Sequence, residues 1–194
     1  MIEQASALAV APNVRFELGD LRNWKAPGPV DVVLSNAALQ WVPDHLELFE
    51  EFVSWLTPFG WLAFQVPGNF LSPSHRLLAE LRRSPRWHAR VGDGAERQLA
   101  VHDPQKYAEV LGGLGLRVDA WETTYLHLLA GVDPVLEWVK GTGLRPVIDA
   151  LDGTDQTAFL AEYGAKLRAA YPARADGVTP FPFRRIFAVG QRRG

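Results

Sequence analysis

The 194-residue sequence predicts a doubly wound α/β sheet interrupted by a helical insertion, and three observations predict it. Short runs suited to strands alternate with an amphipathic helical stripe. Residues 30–35, VDVVLS, are almost wholly apolar, as in a central strand covered on both faces. The strand-like runs are closed by Gly-Asp or Pro-Gly turn chemistry, which leaves room for crossover connections.

In chain order, residues 2–10 are alanine-rich and stopped by Pro12, as at the end of a helix. Residues 14–18 alternate apolar with polar and end at Gly19-Asp20, which predicts a strand and a sharp turn. A polar linker, 23–29, leads to the apolar strand at 30–35. Residues 44–56 place Leu46, Leu48, Phe49, Phe52, Val53 and Leu56 on one helical stripe, with Asp44 at the N-cap position and Pro58-Phe59-Gly60 beyond the end. Residues 61–66 predict a third strand closed by Pro67-Gly68. Residues 75–83 form a basic amphipathic helix, and 84–101 are polar with little periodicity. Residues 104–114 predict a helix ended by Gly112, Gly113 and Gly115, feeding a strand at 116–128. Helical patterns at 134–140 and 155–171, with a shorter one at 146–151, lie between two strands and so predict an insertion of about 130–178 acting as a cap. The last strand spans 183–189, after Pro180-Phe181-Pro182.

Length and a 47% hydrophobic content support one domain over 1–194 with one substantial core. Twenty basic against 22 acidic residues, a net charge of -2, remove any general electrostatic case for nucleic acid or an anionic membrane. The absence of cysteine excludes a disulfide scaffold, a thiol nucleophile and a zinc-thiolate site. No apolar run approaches the ~20 residues that span a bilayer, and the N-terminus lacks a cationic n-region, so the cytoplasm is the default reading. Seven tryptophans and ten phenylalanines are a heavy aromatic load, to be expected in a core or lining an apolar cavity.

A doubly wound sheet binds its ligand beyond the carboxyl ends of its strands. That places Asp20 and Leu21, after one strand, beside Ser35-Asn36-Ala37-Ala38, after the next. An acidic side chain there can accept the exocyclic amine of adenine while Leu21 covers the ring; Gly-Asp is equally ordinary turn chemistry. Together with DVVLSNAALQWV at this distance, the pair resembles the Rossmann-like class I S-adenosylmethionine-dependent methyltransferases. SNAALQWVPDH, QVPGNFLSPSH, VDAWETTYLHLL, DPVLEW and YPARADGVTPFPFRRIF follow in order over nearly the whole chain. With them the sequence resembles the trans-aconitate 2-methyltransferases.

The resemblance implies S-adenosylmethionine as cofactor, with Asp20 and Leu21 at adenine and Asn36 and Ala37 beside the methyl-donor centre. It also implies a preceding strand and Gly-x-Gly loop, which residues 1–194 do not contain. The domain therefore reads as N-terminally incomplete, with weak or lost cofactor affinity expected. The implied reaction turns a carboxylate of trans-aconitate into a methyl ester. A carboxylate is already ionised at neutral pH, so no general base, and no catalytic side chain, is assigned.

A tricarboxylate needs cations and hydrogen-bond donors for the carboxylates that do not react. Arg184 and Arg185 must point to opposite faces of the last strand, so only one reaches the pocket, and Arg184 is favoured. Tyr125 and His127 share a strand face and either donate to substrate or serve the core. Gln40 and Trp41 follow the Asn-Ala-Ala turn, where Trp41 walls the cavity or packs the next helix. Asn69 lies on the same rim, His75 opens a helix whose N-terminus suits an anion, and Arg145 in the insertion is a further carboxylate clamp. Two alternatives stay open: another small carboxylate or acyl thioester as acceptor, and a non-catalytic fragment acting through protein contacts.

Overall fold

The computed structural model describes residues 13–92, 101–141 and 143–194; the helix expected at 2–10 lies outside them. Strand β1 (Val30–Asn36) is followed by two 3-10 turns, Leu39–Trp41 and His45–Glu47, then α1 (Leu48–Trp55) and β2 (Leu56–Pro67). Helices α2 (Pro73–Arg83), α3 (His88–Val91) and α4 (Pro104–Gly113) lead to β3 (Leu116–Leu129). The insertion supplies α5 (Pro134–Lys140), α6 (Arg145–Ala150) and α7 (Gly153–Ala170) before β4 (Thr179–Arg192).

The sheet has the order β1-β2-β4-β3, with β1 parallel to β2 and both β4 ladders antiparallel. The turn expected at Pro58-Phe59-Gly60 sits inside β2. The ladder runs from Val30 opposite Leu56 to Val32 opposite Trp61, and Phe59 has a φ of 65° where the extra residues loop out. Strand β4 begins earlier than expected and takes in Pro180 and Pro182. Both prolines precede Arg185, where the β2 ladder starts, so their missing N–H groups cost no bond to β2.

Two sequence-based expectations fail for the same reason. Residues 14–18 are not a strand, and β1 is an edge strand instead of a central one. A strand needs a neighbour for its N–H and C=O groups, and no described residue pairs with the free edge of β1. Its second face is also open: Val32 is 57% and Leu34 74% exposed. The aromatic expectation is met only in part. Trp87 is fully buried, but Trp61 and Trp121 stand on the open sheet face, where Trp121 stacks on Phe187 with centroids 5.2 Å apart.

The covered face of the sheet carries one core. Phe49 and Phe52 of α1 and Tyr107 and Leu111 of α4 close over Phe64, Ile186 and Ala188; Phe49 stacks on Phe64 at 5.1 Å, and Tyr107 meets Phe64 edge-on at 4.9 Å. Each such side chain contributes about 1.5–3 kcal/mol of burial. His45 is fully buried beside them, its Nε2 3.0 Å from the Tyr107 hydroxyl, and burial pushes that phenol up to about 12. Asp44, expected as an N-cap, makes no side-chain capping bond; Asp152 does, accepting from the Asp155 N–H at 3.1 Å to start α7.

A second core lies between α2, α3 and the insertion, built on Leu81, Trp87, Val135, Phe159, Tyr163 and Leu167. Phe181 of β4 belongs to it, and Phe183 packs against it. The insertion thereby stands against the end of the sheet that includes the carboxyl terminus of β2.

Candidate functional site

The carboxyl ends of β1 and β2 meet where Asn36 pairs with Gln65. The Ala37 N–H donates to the Gln65 carbonyl at 2.9 Å, and Ala37 then turns the chain with a φ of 51°. Non-glycine residues avoid this left-handed region because Cβ crowds the following carbonyl; strain of this kind gathers at functional turns. The turn continues into the first 3-10 segment, where the buried Gln40 amide donates to the Ala37 carbonyl at 2.7 Å.

Polar capacity is left over here. Gln40 Oε1, Ser35 Oγ and Gln65 Nε2 are buried without hydrogen-bond partners. Each such atom costs roughly 1–3 kcal/mol, a cost that a polar ligand recovers. Ser35, paired with Phe64, faces the core, whereas Gln65 shares the other face with Asn36, so it is Gln40 and Gln65 that offer free polar groups near the Asn36-Ala37 turn. The Asp20-Leu21 segment does not join them. The Asp20 carboxylate is exposed and taken up by Arg22, whose hydrogen bonds hold it down at about 2. Leu21 is likewise exposed, and Trp24 anchors this segment edge-on against Trp55, the last residue of α1, at 5.4 Å. No hydrogen bond among the described residues links Asp20 to the Asn36-Ala37 turn.

From Gln65 the same face of the sheet runs across β4 and β3. Pro67 pairs with Arg185, which pairs with Thr123; Tyr125 pairs with Phe183, and His127 with Phe181. Arg185 donates from Nη1 to Gln65 Oε1 at 2.7 Å, and its guanidinium lies 4.9 Å from the Phe183 ring centre and 5.8 Å from that of Tyr125. Trp138 of α5 closes the far end, 4.7 Å from His127, whose Nε2 is buried without a partner. The result is a wall of aromatic rings holding one guanidinium.

Arg184 takes the opposite face, as the alternation of a strand requires. It is bonded to Glu122, to Asp103 at 2.7 Å and to the Gly68 carbonyl at 3.3 Å, and the Glu122 contact raises its pKa further. It borders a cavity of about 530 Å³ between the end of β2 and α4, whose lining also includes Lys106, Asp103 and Glu109. A guanidinium already answered by two carboxylates has little left for a third.

Residues 1–64 match the family of methyltransferase domains. Over 91% of its length the chain is 55% identical to the trans-aconitate 2-methyltransferase of Streptomyces avermitilis, and again over 91% it is 54% identical to that of Streptomyces coelicolor. It spans 65% and 59% of those two proteins. With the enzyme of that name from Mycolicibacterium gilvum it shares 48% identity over 97% of this chain and 74% of the relative. The chain belongs to the trans-aconitate 2-methyltransferase family.

Solved structures support the fold of this methyltransferase family member. Loganic acid methyltransferase aligns with a TM-score of 0.62 at 13% identity, covering 99% of this chain and 71% of that one. The YcgJ protein of Bacillus subtilis aligns at 0.57 with 15% identity, covering 100% and 79%.

The remaining residues singled out from the sequence fall in several places. Asn69 is buried at the β2 rim, where its carbonyl accepts from the Ser72 N–H at 2.9 Å. His75, near the start of α2, lies 3.2 Å from Ser72 Oγ through Nδ1, and burial lowers its pKa. Trp41 is 55% exposed beside the Gln40 turn. Arg145 begins α6 in the insertion and is exposed. Sequence reasoning missed Gln65 and Trp138. Gln65 had a readable signal, since it is the polar residue in the apolar run WLAFQV; Trp138 had none, because its role depends on where α5 docks.

Proposed function

We propose that this chain takes part in the S-adenosylmethionine-dependent methylation of a carboxylate of trans-aconitate, forming a monomethyl ester. The 55% identity to a protein of that name, over 91% of this chain, carries the reading. The cofactor supplies an electrophilic methyl group on a sulfonium; Asn36, Ala37 and Gln40 are the residues of this chain that fit its methyl-donor end. What the chain does is position and exclude water. The ionised carboxylate needs no base, and consistently the sheet face that carries Arg185 offers aromatic rings and hydrogen-bond donors. Trp138, Phe183 and Tyr125 give the acceptor's carbon skeleton an apolar surface to lie on.

The test is methyl transfer from methyl-labelled S-adenosylmethionine, offered trans-aconitate, cis-aconitate or a malonyl thioester. Base-labile label in trans-aconitate is the expected product. Label that enters only the thioester would assign a different acceptor.

A further inference from the structure

We infer that Arg185, and not its neighbour Arg184, is the cation that binds a non-reacting carboxylate of the acceptor, with Gln65 and His127 completing the donor set. The inference rests on the acceptor reading above and names the residues that select for a polyanion. Arg184 and Arg185 are adjacent in β4 and chemically identical, so the difference between them is entirely one of partners. Arg184 is bonded to two carboxylates. Among the described residues Arg185 has no carboxylate partner; its hydrogen bond goes to the neutral Gln65 amide.

That hydrogen bond also orients Gln65. With Oε1 accepting from Arg185, the amide nitrogen is left as a buried donor without an acceptor. His127 Nε2, two strand positions from Tyr125 on the same face, is likewise unpartnered and donates when that nitrogen carries the proton. The unmet capacity on this face is thus a guanidinium fork, the Gln65 amide N–H and the His127 ring nitrogen, which in its protonated tautomer joins them in calling for an anion with several acceptor oxygens. The rings of Phe183, Tyr125 and Trp138 beside them suit a flat, unsaturated carbon skeleton. A planar polycarboxylate satisfies both demands at once.

Calorimetric titration of the 194-residue chain with trans-aconitate tests this, comparing wild type with Arg185→Gln, Arg185→Met and Arg184→Gln, each checked for folding by circular dichroism. Loss of a charge-assisted contact is expected to weaken binding about tenfold or more in both Arg185 variants. Arg184→Gln should stay within about twofold, because its lost contacts are intramolecular. Arg185→Met keeps the apolar stem over Phe183 and is read if the glutamine variant fails to fold. Unchanged affinity in either folded Arg185 variant, or a larger loss in Arg184→Gln, overturns the inference and leaves the acceptor reading standing. A wild-type chain that binds no trans-aconitate at roughly 10 mM overturns both.

Discussion

The start of α2 is held by two tyrosines from the insertion, and they should not be worth the same. Ser72, the N-cap residue, makes no side-chain cap; its hydroxyl lies instead 2.9 Å from Ser74 Oγ and 3.2 Å from His75 Nδ1. The Ser74 N–H, one of the helix's orphan donors, donates to the Tyr171 hydroxyl at 3.1 Å, while the Tyr163 hydroxyl donates to the Ser74 carbonyl at 2.9 Å. Ser74 is 1% exposed, so water does not replace either partner. Tyr171→Phe strands a buried donor and should cost about 2 kcal/mol. Tyr163→Phe removes a donor from a carbonyl that the helix itself already uses, and should cost about 1 kcal/mol. Urea denaturation followed by circular dichroism reads the difference; Tyr171→Phe should also melt about 4–8 °C below wild type. Because both tyrosines share Ser74, the double variant should depart from additivity. A Tyr163→Phe variant as destabilised as Tyr171→Phe would refute the reasoning, since it would mean that the carbonyl, and not the N–H, is the group that needs the insertion.

Further outcomes follow from the same structure. Burial depresses His45 and His75 below the ordinary value of 6.5, so the unfolded chain takes up protons first as pH falls. Stability should be complete above about 6.5 and decline as pH drops through the lowered folded values, a slope seen in urea midpoints and reduced in His75→Asn. Ala37→Gly relieves the positive φ and should be neutral to stabilising by about 1 kcal/mol, whereas Ala37→Val should cost more than about 1 kcal/mol in the same assay. Leu34→Lys, at a side chain 74% exposed on the open sheet face, should change stability by less than about 0.5 kcal/mol in urea denaturation. Glu122→Gln should cost less than about 1 kcal/mol, and less still in high salt, because the Arg184 pair is only partly buried.

Much of the local structure was legible in the residues. Helix α5 falls on its expected bounds, α2 and α4 within two residues, and Gly112, Gly113 and Gly115 mark where α4 gives way to β3. Stripes, caps and breakers act over one or two turns, and so they are written locally. The family was legible as well, because strings such as SNAALQWVPDH carry it without any knowledge of the fold.

Pairing and facing were not. The alternation of residues 14–18 is a strand pattern, but a strand exists only when another lies beside it, and that depends on distant chain. Alternation likewise required Arg184 and Arg185 to part, yet said nothing of what each would meet. Glu122 and Asp103 come to Arg184 from β3 and the start of α4, Gln65 comes to Arg185 from β2, and Trp138 arrives on α5. Sequence alone therefore determined the elements, the family and the short list of chemically suitable residues. Tertiary structure decided which of two adjacent arginines meets two carboxylates and which, among the described residues, meets a neutral amide, because electrostatic partners are chosen by proximity in space and not along the chain.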